Sequence, residues 1–345
     1  MQIKEDGYVV AVVGATGAVG REMIKTLEAR DFPVKELRLF ASARGAGEEI
    51  VFHGEDLKVV ELGDEAPDGV DIALFSAGGS VSKEMAPKFA AKGAVVIDNS
   101  SAWRMDPAVP LVVPEVNPAE AFKASTAAGK GIIANPNCST IQLVVALKPL
   151  SDAFGLERVV VSTYQSVSGA GQKGVAELSD QVVALFNHKE ADPKVMPHPI
   201  AFNCIPSIGT FLDNGYTDEE WKLVQESRKI LALPSLKVSP TAVRVPVFSC
   251  HSEAVNVTCS RKVTPKAAAA AFHNAEGLVI QDMPAEQVYP MPFPLAGSDD
   301  VYVGRIRQDP DDDCALNFWV VADNLRKGAA LNAVQIAELL HEGPE

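Results

Sequence analysis

The chain has 345 residues, 47% of them apolar and 22% charged, enough for a sizeable core spread over two domains. Its formal net charge of −14 argues against nucleic acid or an anionic membrane surface as partner, since their phosphates would be repelled, but leaves room for a locally basic site that takes small anions. The five cysteines are odd in number and form no C-x-x-C pair, which fits free thiols in a reducing, cytoplasmic setting and neither a disulfide scaffold nor a metal site.

No signal-peptide core follows the acidic lead-in MQIKEDG, and no apolar run is long enough to span a membrane. The first third alternates β-branched runs with helical stretches. Strands are predicted over 8–13 (YVVAVV), 36–40, 57–62, 71–75, 94–97 and 131–134, and helices over 18–30 and 83–91. That order implies an α/β domain, a parallel sheet with helices on both faces. From residue 138 the pattern changes. A helix is predicted over 139–150, a long strand over 159–167 and a helix over 176–186; the proline- and histidine-rich stretch 187–206 reads as an ordered arm. Strands over 242–248 and 253–259 are expected to run antiparallel, followed by a helix over 265–275, a strand over 316–322 and a last helix over 329–340. The expectation is an N-terminal domain of residues 1–137, to which residues 324–345 return, and a second, α+β domain of residues 138–323.

The turn Gly14-Ala-Thr16-Gly17-Ala18-Val19-Gly20 ends the first strand and opens the first helix. Glycines there permit a tight turn and close approach to a pyrophosphate, which the helix N-terminus would receive. The G-x-x-G-x-x-G spacing is one residue off the commoner G-x-G-x-x-G, and it takes its weight from its place on the first strand of a Rossmann-like alternation. At the end of the second strand, Ser42 and Arg44 stand where a carboxylate would hold a ribose 2′-hydroxyl, and none follows before Glu48. A hydroxyl and a guanidinium suit a 2′-phosphate, hence NADP; a solvated surface arginine is the other reading of Arg44.

Asn135-Pro-Asn137-Cys138-Ser-Thr140 follows a short strand and precedes a helix. A cysteine at a helix N-terminus sits at the positive end of the dipole, which favours thiolate. Backbone N–H groups beside it, with the Asn137 amide, can face a developing oxyanion. Cys204, Cys250, Cys259 and Cys314 read as buried structural cysteines. Of the six histidines, His251 lies at the junction of two predicted strands, where loop residues face a cleft. Arg244, on the strand leading to it, is costly to bury unless it meets a carboxylate or phosphate.

The glycine turn, the turn at Asn137-Cys138-Ser139 and the Ser-Val-Ser-Gly-Ala-Gly segment at 166–171 resemble those of the phosphorylating semialdehyde dehydrogenases. The resemblance runs from Tyr8 to about Leu340 and is closest to the aspartate-semialdehyde dehydrogenase family. It implies Cys138 as nucleophile, His251 as acid/base, Arg244 gripping the substrate carboxylate, and Gln165 orienting the substrate with an amide that could also hold a thioester carbonyl. It implies Arg104, Asn137 and Lys222 around the phosphate and Glu219 at the substrate ammonium. By pattern alone Glu219 and Lys222 belong to a charged helical cluster. Ser168, Gly169 and Asn324 would join Gly14, Thr16, Gly17, Ala18 and Val19 at the cofactor, although helix capping explains Asp323 or Asn324 equally well.

The reaction implied is NADPH-dependent reductive dephosphorylation of L-aspartyl-4-phosphate to L-aspartate 4-semialdehyde, feeding lysine, threonine, methionine and isoleucine synthesis, in a homodimer. N-acetyl-glutamyl-phosphate reductase is the nearest rival, but its substrate has no ammonium for Glu219. Glyceraldehyde-3-phosphate dehydrogenase is more distant in its cysteine motif. A non-catalytic NADP-binding sensor is the rival of another class, and the joint presence of Cys138, Gln165, Arg244 and His251 argues against it.

Overall fold

The computed structural model describes residue 4, residues 6–125 and residues 130–344, so most of the first five residues of the acidic lead-in lie outside it. The chain divides into two compact units, Met1–Asn137 with Ala329–Glu345, and Cys138–Gly328. Among the described residues no helix is long and apolar enough to cross a membrane.

The first unit is an α/β layer structure. Its strands are β1 (Tyr8–Val13), β2 (Val34–Ala41), β3 (Glu49–Phe52), β4 (Glu55–Lys58), β5 (Val60–Glu61), β6 (Ile72–Phe75), β7 (Val95–Asp98) and β8 (Ile132–Ala134). Six of them form one parallel sheet in the order β5-β2-β1-β6-β7-β8. The single strand expected over 57–62 is in fact two. Lys58 closes an antiparallel hairpin of β3 and β4, and only Val60–Glu61 joins the sheet edge.

The continuous apolar runs of β1 and β6 are explained by cover on both faces. On one face, Met23, Ile24 and Leu27 of α1 (Ala18–Ala29) share a core with Val10, Val12, Leu39 and Leu74. Val334, Ala337 and Leu340 of the last helix, Leu331–Glu342, belong to the same core. On the other, Phe89 of α2 (Gly79–Ala91) meets Phe75 edge-on at 5.2 Å between ring centroids. Each of these buried side chains larger than alanine contributes about 1.5–3 kcal/mol. The returning C-terminal helix is also pinned by Glu338, which accepts from Arg30 at 2.6 and 2.8 Å, and by His341, 3.0 Å from the Tyr8 hydroxyl.

The second unit is α+β. It contains α3 (Cys138–Phe154), β9 (Leu156–Gln165), α4 (Gly171–Phe186), α5 (Asp218–Ile230), β10 (Lys237–Arg244), β11 (His251–Cys259), α6 (Pro265–His273), β12 (Leu278–Ile280), β13 (Val301–Gln308) and β14 (Ala315–Ala322). Its mixed sheet has the order β10-β9-β11-β14-β13-β12. The strands expected over 242–248 and 253–259 are therefore not neighbours. β9 lies between them, parallel to β10 and antiparallel to β11. β10 ends at Arg244 because Pro246 carries no amide hydrogen for the ladder. The arm after α4 is held by two side chains one turn apart. Glu177 accepts from Lys194 N at 2.9 Å, and Gln181 Oε1 accepts from Ile200 N and Ala201 N at 2.8 and 3.0 Å.

Candidate active site

In the first unit the glycine turn is built so closely that side chains are excluded. Gly14 has φ +93°, and a Cβ there would stand 2.5 Å from Ser76 O; a Cβ on Gly20 would stand 2.2 Å from Gly14 O. The N-cap of α1, Gly17, supplies no side-chain cap, so the amides of Ala18 and Val19 open the helix without one. A Cβ on Gly45 would meet the Thr16 hydroxyl at 2.7 Å, so the loop after β2 packs against the glycine turn. Ser42 and Arg44 are exposed on that loop, where Ser42 O accepts from Gly45 N at 2.8 Å. The nearest following carboxylate, Glu48, is turned to Arg21. A helix start without a side-chain cap, against which the loop carrying Ser42 and Arg44 packs, could hold the phosphates of a dinucleotide.

The turn that leads to Cys138 is fixed from the same unit. Asn135 Nδ2 donates to Asn99 Oδ1 at 2.7 Å and to Ala329 O at 3.0 Å, and its Oδ1 accepts from Asn332 Nδ2 at 2.6 Å. Arg104 is buried and donates from Nε to Asn135 O and from Nη2 to Asn99 O, both at 2.9 Å. Asn137, also buried, ends the unit.

In the second unit three neighbouring strands place three of the candidate side chains in one row. Arg244 of β10 is in register with Gln165 of β9, and Gln165 with His251 of β11. All three are buried and share the face that carries Ala242, Val161 and Val255, as period-two alternation requires. Strand spacing near 4.8 Å sets them side by side. Cys138 begins α3, and Gln142, one turn later, donates to His251 O at 3.4 Å. Ser139 Oγ is a hydrogen-bond partner of Gln165 Nε2, which also donates to Glu219 Oε1 at 3.0 Å. Both amide hydrogens of Gln165 are thus engaged, while its Oε1 is buried without a partner.

The charges are ordered from α5. Its capping box, Thr217 with Glu220, starts the helix so that buried Glu219 reaches Gln165. Lys222 Nζ pairs with Glu219 at 3.0 Å and Asp218 at 2.9 Å. Burial works against the Lys222 ammonium, but Glu219 and Asp218 outweigh it and hold its pKa above the ordinary lysine range. The Arg244 guanidinium makes one hydrogen bond, from Nη1 to Ser166 O at 2.7 Å, which leaves donors for a ligand carboxylate. Ser168 and Asn324 hydrogen-bond each other, with Asn324 Nδ2 donating to Ser168 Oγ at 2.9 Å. A Cβ on Gly169 would lie 2.9 Å from Arg244 Nη1 and 3.4 Å from His251 Nε2, so glycine keeps that space open.

Residues 9–124 match the description "Semialdehyde dehydrogenase, NAD binding domain", and residues 147–327 match "Semialdehyde dehydrogenase, dimerisation domain". The chain is 56% identical over 339 residues to the aspartate-semialdehyde dehydrogenase of Aquifex aeolicus, covering 97% of this chain and 98% of that one. The chain belongs to the aspartate-semialdehyde dehydrogenase family. Its fold is similar to the crystal structure of aspartate semialdehyde dehydrogenase II complexed with ASA from Vibrio cholerae, with TM-score 0.94, 48% identity, and 98% and 99% of the two chains covered. It is also similar to the Candida albicans aspartate semialdehyde dehydrogenase with NADP, with TM-score 0.74, 26% identity, and 97% and 98% covered.

Three expectations about this family member change. His251 is not on a loop facing a cleft; it is the first residue of β11 and fully buried. Cys250 and Cys259 are buried as expected, but Cys204 is exposed and Cys314 half-buried. Asp323 does act as a cap, accepting from Leu325 N at 2.9 Å, whereas Asn324 does not and turns to Ser166 and Ser168. The sequence reading missed Gln142, Glu253 and Gly328. Gln142 was findable as the residue four after Cys138 on one helix face. Glu253 was findable as the next inward residue after His251 on an alternating strand.

Proposed function

We propose that the chain catalyses the NADPH-dependent reductive dephosphorylation of L-aspartyl-4-phosphate to L-aspartate 4-semialdehyde, with Cys138 as nucleophile. The observation that carries the reading is the row Arg244–Gln165–His251, on the sheet face over which α3 presents Cys138 and Gln142. Arg244 holds the α-carboxylate through its remaining donors. Glu219 and the unpartnered Gln165 Oε1 receive the α-ammonium. Lys222 binds the phosphate, the role that the resemblance also gives to Arg104 and Asn137.

Cys138 Sγ attacks the acyl carbon, the carbon–oxygen bond to phosphate breaks, and phosphate leaves a thioester on the enzyme. A reduced nicotinamide, when bound, supplies the hydride that reduces this thioester carbon. Ser42 and Arg44 select the 2′-phosphate, in keeping with the NADP of the Candida albicans relative, and Gly14, Thr16, Gly17, Ala18 and Val19 cradle the pyrophosphate. Ser168, Gly169 and Asn324 order the cofactor's reactive end. His251 is the acid/base group: it takes the Cys138 thiol proton and serves the acyl oxygen, whose charge grows when the thiolate or the hydride adds. Collapse then breaks the carbon–sulfur bond, releases the aldehyde and restores Cys138. The matched dimerisation domain supports a homodimer, and a cytoplasmic amino-acid biosynthetic step is the setting that suits it.

The test is phosphate-dependent reduction of NADP with L-aspartate semialdehyde, against NAD and N-acetylglutamate semialdehyde as controls. Activity with the aspartyl substrate and NADP is expected. Activity with the N-acetylated substrate alone would overturn the assignments of Glu219 and Arg244.

A further inference from the structure

Beside the row Arg244–Gln165–His251 lies a second buried polar pair, to which neither the resemblance nor the matches give a role. Glu253 of β11 is in register with Thr163 of β9, one inward position along from the pair of His251 and Gln165. Both are fully buried, and α3 packs over both strands. Gln142 reaches the same place from α3. Its Nε2 donates to His251 O at 3.4 Å, and its amide lies beside the Glu253 carboxyl. Both carboxyl oxygens of Glu253, Thr163 Oγ1 and Gln142 Oε1 are buried without a hydrogen-bond partner. So many unpaired polar atoms in one place are rare in a folded interior and call for an explanation.

The charges around Glu253 supply one. Among the described residues no cation pairs with it. Lys148 and Asp152 of α3 bond to each other, Glu157 and Arg158 of β9 are exposed, and β14 carries no charged residue. On β11 itself the other titratable groups are His251 and Cys259. A carboxylate in that setting has only the Gln142 amide to favour it, and burial pushes the carboxyl well above its ordinary value of 4.5. The neutral acid has what the cluster lacks, one more donor. Its O–H can go to Thr163 Oγ1, on the facing strand where opposed Cβ atoms stand about 4.5–5.5 Å apart. Its carbonyl oxygen can receive the Gln142 hydrogen that His251 O does not use. Gln142 stands four residues after Cys138 on one helix face, so whatever fixes Gln142 also fixes the start of α3 against β11.

We propose that Glu253 is a positioning residue, held as the neutral acid, that ties Thr163 of β9 to Gln142 of α3 and so keeps the Cys138 helix in place against the main chain of His251. This rests on the reaction proposed above, in which His251 takes the Cys138 thiol proton. Glu253 itself passes no proton to the reaction. Its part is to hold the chain from Thr163 through Gln142 to His251 O, which sets the nucleophile's helix against the strand that carries its base.

The test begins with the infrared difference spectrum of the full chain against Glu253→Gln. A protonated-carboxyl C=O band should be present at about pH 7.5 and missing from the variant; a carboxylate band in its place would overturn the proposal. Thr163→Val removes the acceptor of the acid hydrogen and should move that band, and an unmoved band would count equally against it. Glu253→Leu breaks the chain with an apolar side chain of similar size. It should lower kcat about tenfold with the KM values for semialdehyde and NADP unchanged, while Glu253→Gln, which keeps a donor and an acceptor, should recover kcat to within about threefold. Equal losses in the two variants would mean that the proton itself is used, and no loss in Glu253→Leu would mean that nothing is held; either sinks the positioning role. If Glu253→Leu does not fold, Thr163→Val takes its place in this comparison. Alkylation of Cys138 by iodoacetamide, mapped by peptide, is read on resting protein. Its rate should change about tenfold in Glu253→Leu and stay put in Glu253→Gln, and an unchanged rate in both would contradict the proposal. A chain inactive in the NADP assay would therefore sink the proposed reaction while leaving Glu253 to be judged by the infrared band and the alkylation rate.

Discussion

Gly328 should be intolerant of even a methyl group, for a reason that lies at Cys138, the proposed nucleophile. It sits in the last turn before the chain leaves the second unit, its amide bonded to Asp323 O at 3.0 Å. A Cβ added there would stand 2.8 Å from Cys138 Cβ, 3.2 Å from Cys138 Cα and 3.5 Å from Cys138 O. Carbon atoms pack comfortably at about 3.5–4.0 Å, so the Gly328→Ala methyl and Cys138 must separate by roughly 1 Å. The φ of Gly328 is not in the left-handed region, so alanine adds no backbone strain and the clash acts alone. Overpacking of this kind costs about 1–3 kcal/mol of stability. A nucleophile moved by roughly 1 Å loses about 100-fold in rate. We therefore expect Gly328→Ala to fold, to lose about 1–3 kcal/mol in urea denaturation, and to fall about 100-fold in kcat/KM. Alkylation by iodoacetamide would report whether Cys138 itself has moved. A variant within about threefold of the parent in kcat/KM, with the same alkylation rate, would refute the packing argument.

Cys138→Ser should lower kcat by at least about 1000-fold, because the thioester route is lost; near-normal turnover would remove Cys138 from the mechanism. Arg244→Lys keeps the charge but not the planar fork, and should raise the substrate KM about 10- to 100-fold with a smaller change in NADP affinity, measured by steady-state kinetics. Arg44→Ala should raise the KM for NADPH about tenfold and leave that for NADH unchanged; equal effects on both would make Arg44 a surface residue. Burial raises the Glu253 carboxyl well above its ordinary value of 4.5, and the neighbouring Gln142 amide opposes it only in part. As pH rises through that value the unfolded chain releases this proton while the folded chain keeps it, so this group's contribution to stability falls until the folded pKa is reached. Glu253→Gln removes the effect. Its melting temperature should gain on the parent between about pH 5 and about pH 8, and a gap that narrows with pH would contradict the assignment.

Local features of this chain were legible in its sequence, and lateral ones were not. YVVAVV followed by the glycine turn located β1 and the start of α1, because a buried strand and a tight turn each leave a dense local signal. Cys138 at the first residue of α3 follows from the strand–turn–helix order around Asn135-Pro-Asn137. The capping box Thr217–Glu220 was present in the sequence and would have set the start of α5, which the pattern reading left as a charged cluster. β13 went unread because Gly304 and a register shift between Gly304 and Arg307 break its alternation. The row Arg244–Gln165–His251 could not be seen at all, since it depends on β9 sitting between β10 and β11, a pairing of segments some 80 residues apart. Nor does any residue pattern announce that a main-chain amide, that of Ser166, faces a histidine ring.

The covalent step is tested most directly by mixing the enzyme with L-aspartyl-4-phosphate in the absence of cofactor, quenching in acid and weighing the intact chain. A single aspartyl adduct should form, map to Cys138, and disappear as aspartate semialdehyde when NADPH is added before the quench. No adduct in a preparation that turns over, or an adduct on exposed Cys204, would contradict the assignment of Cys138 as the nucleophile.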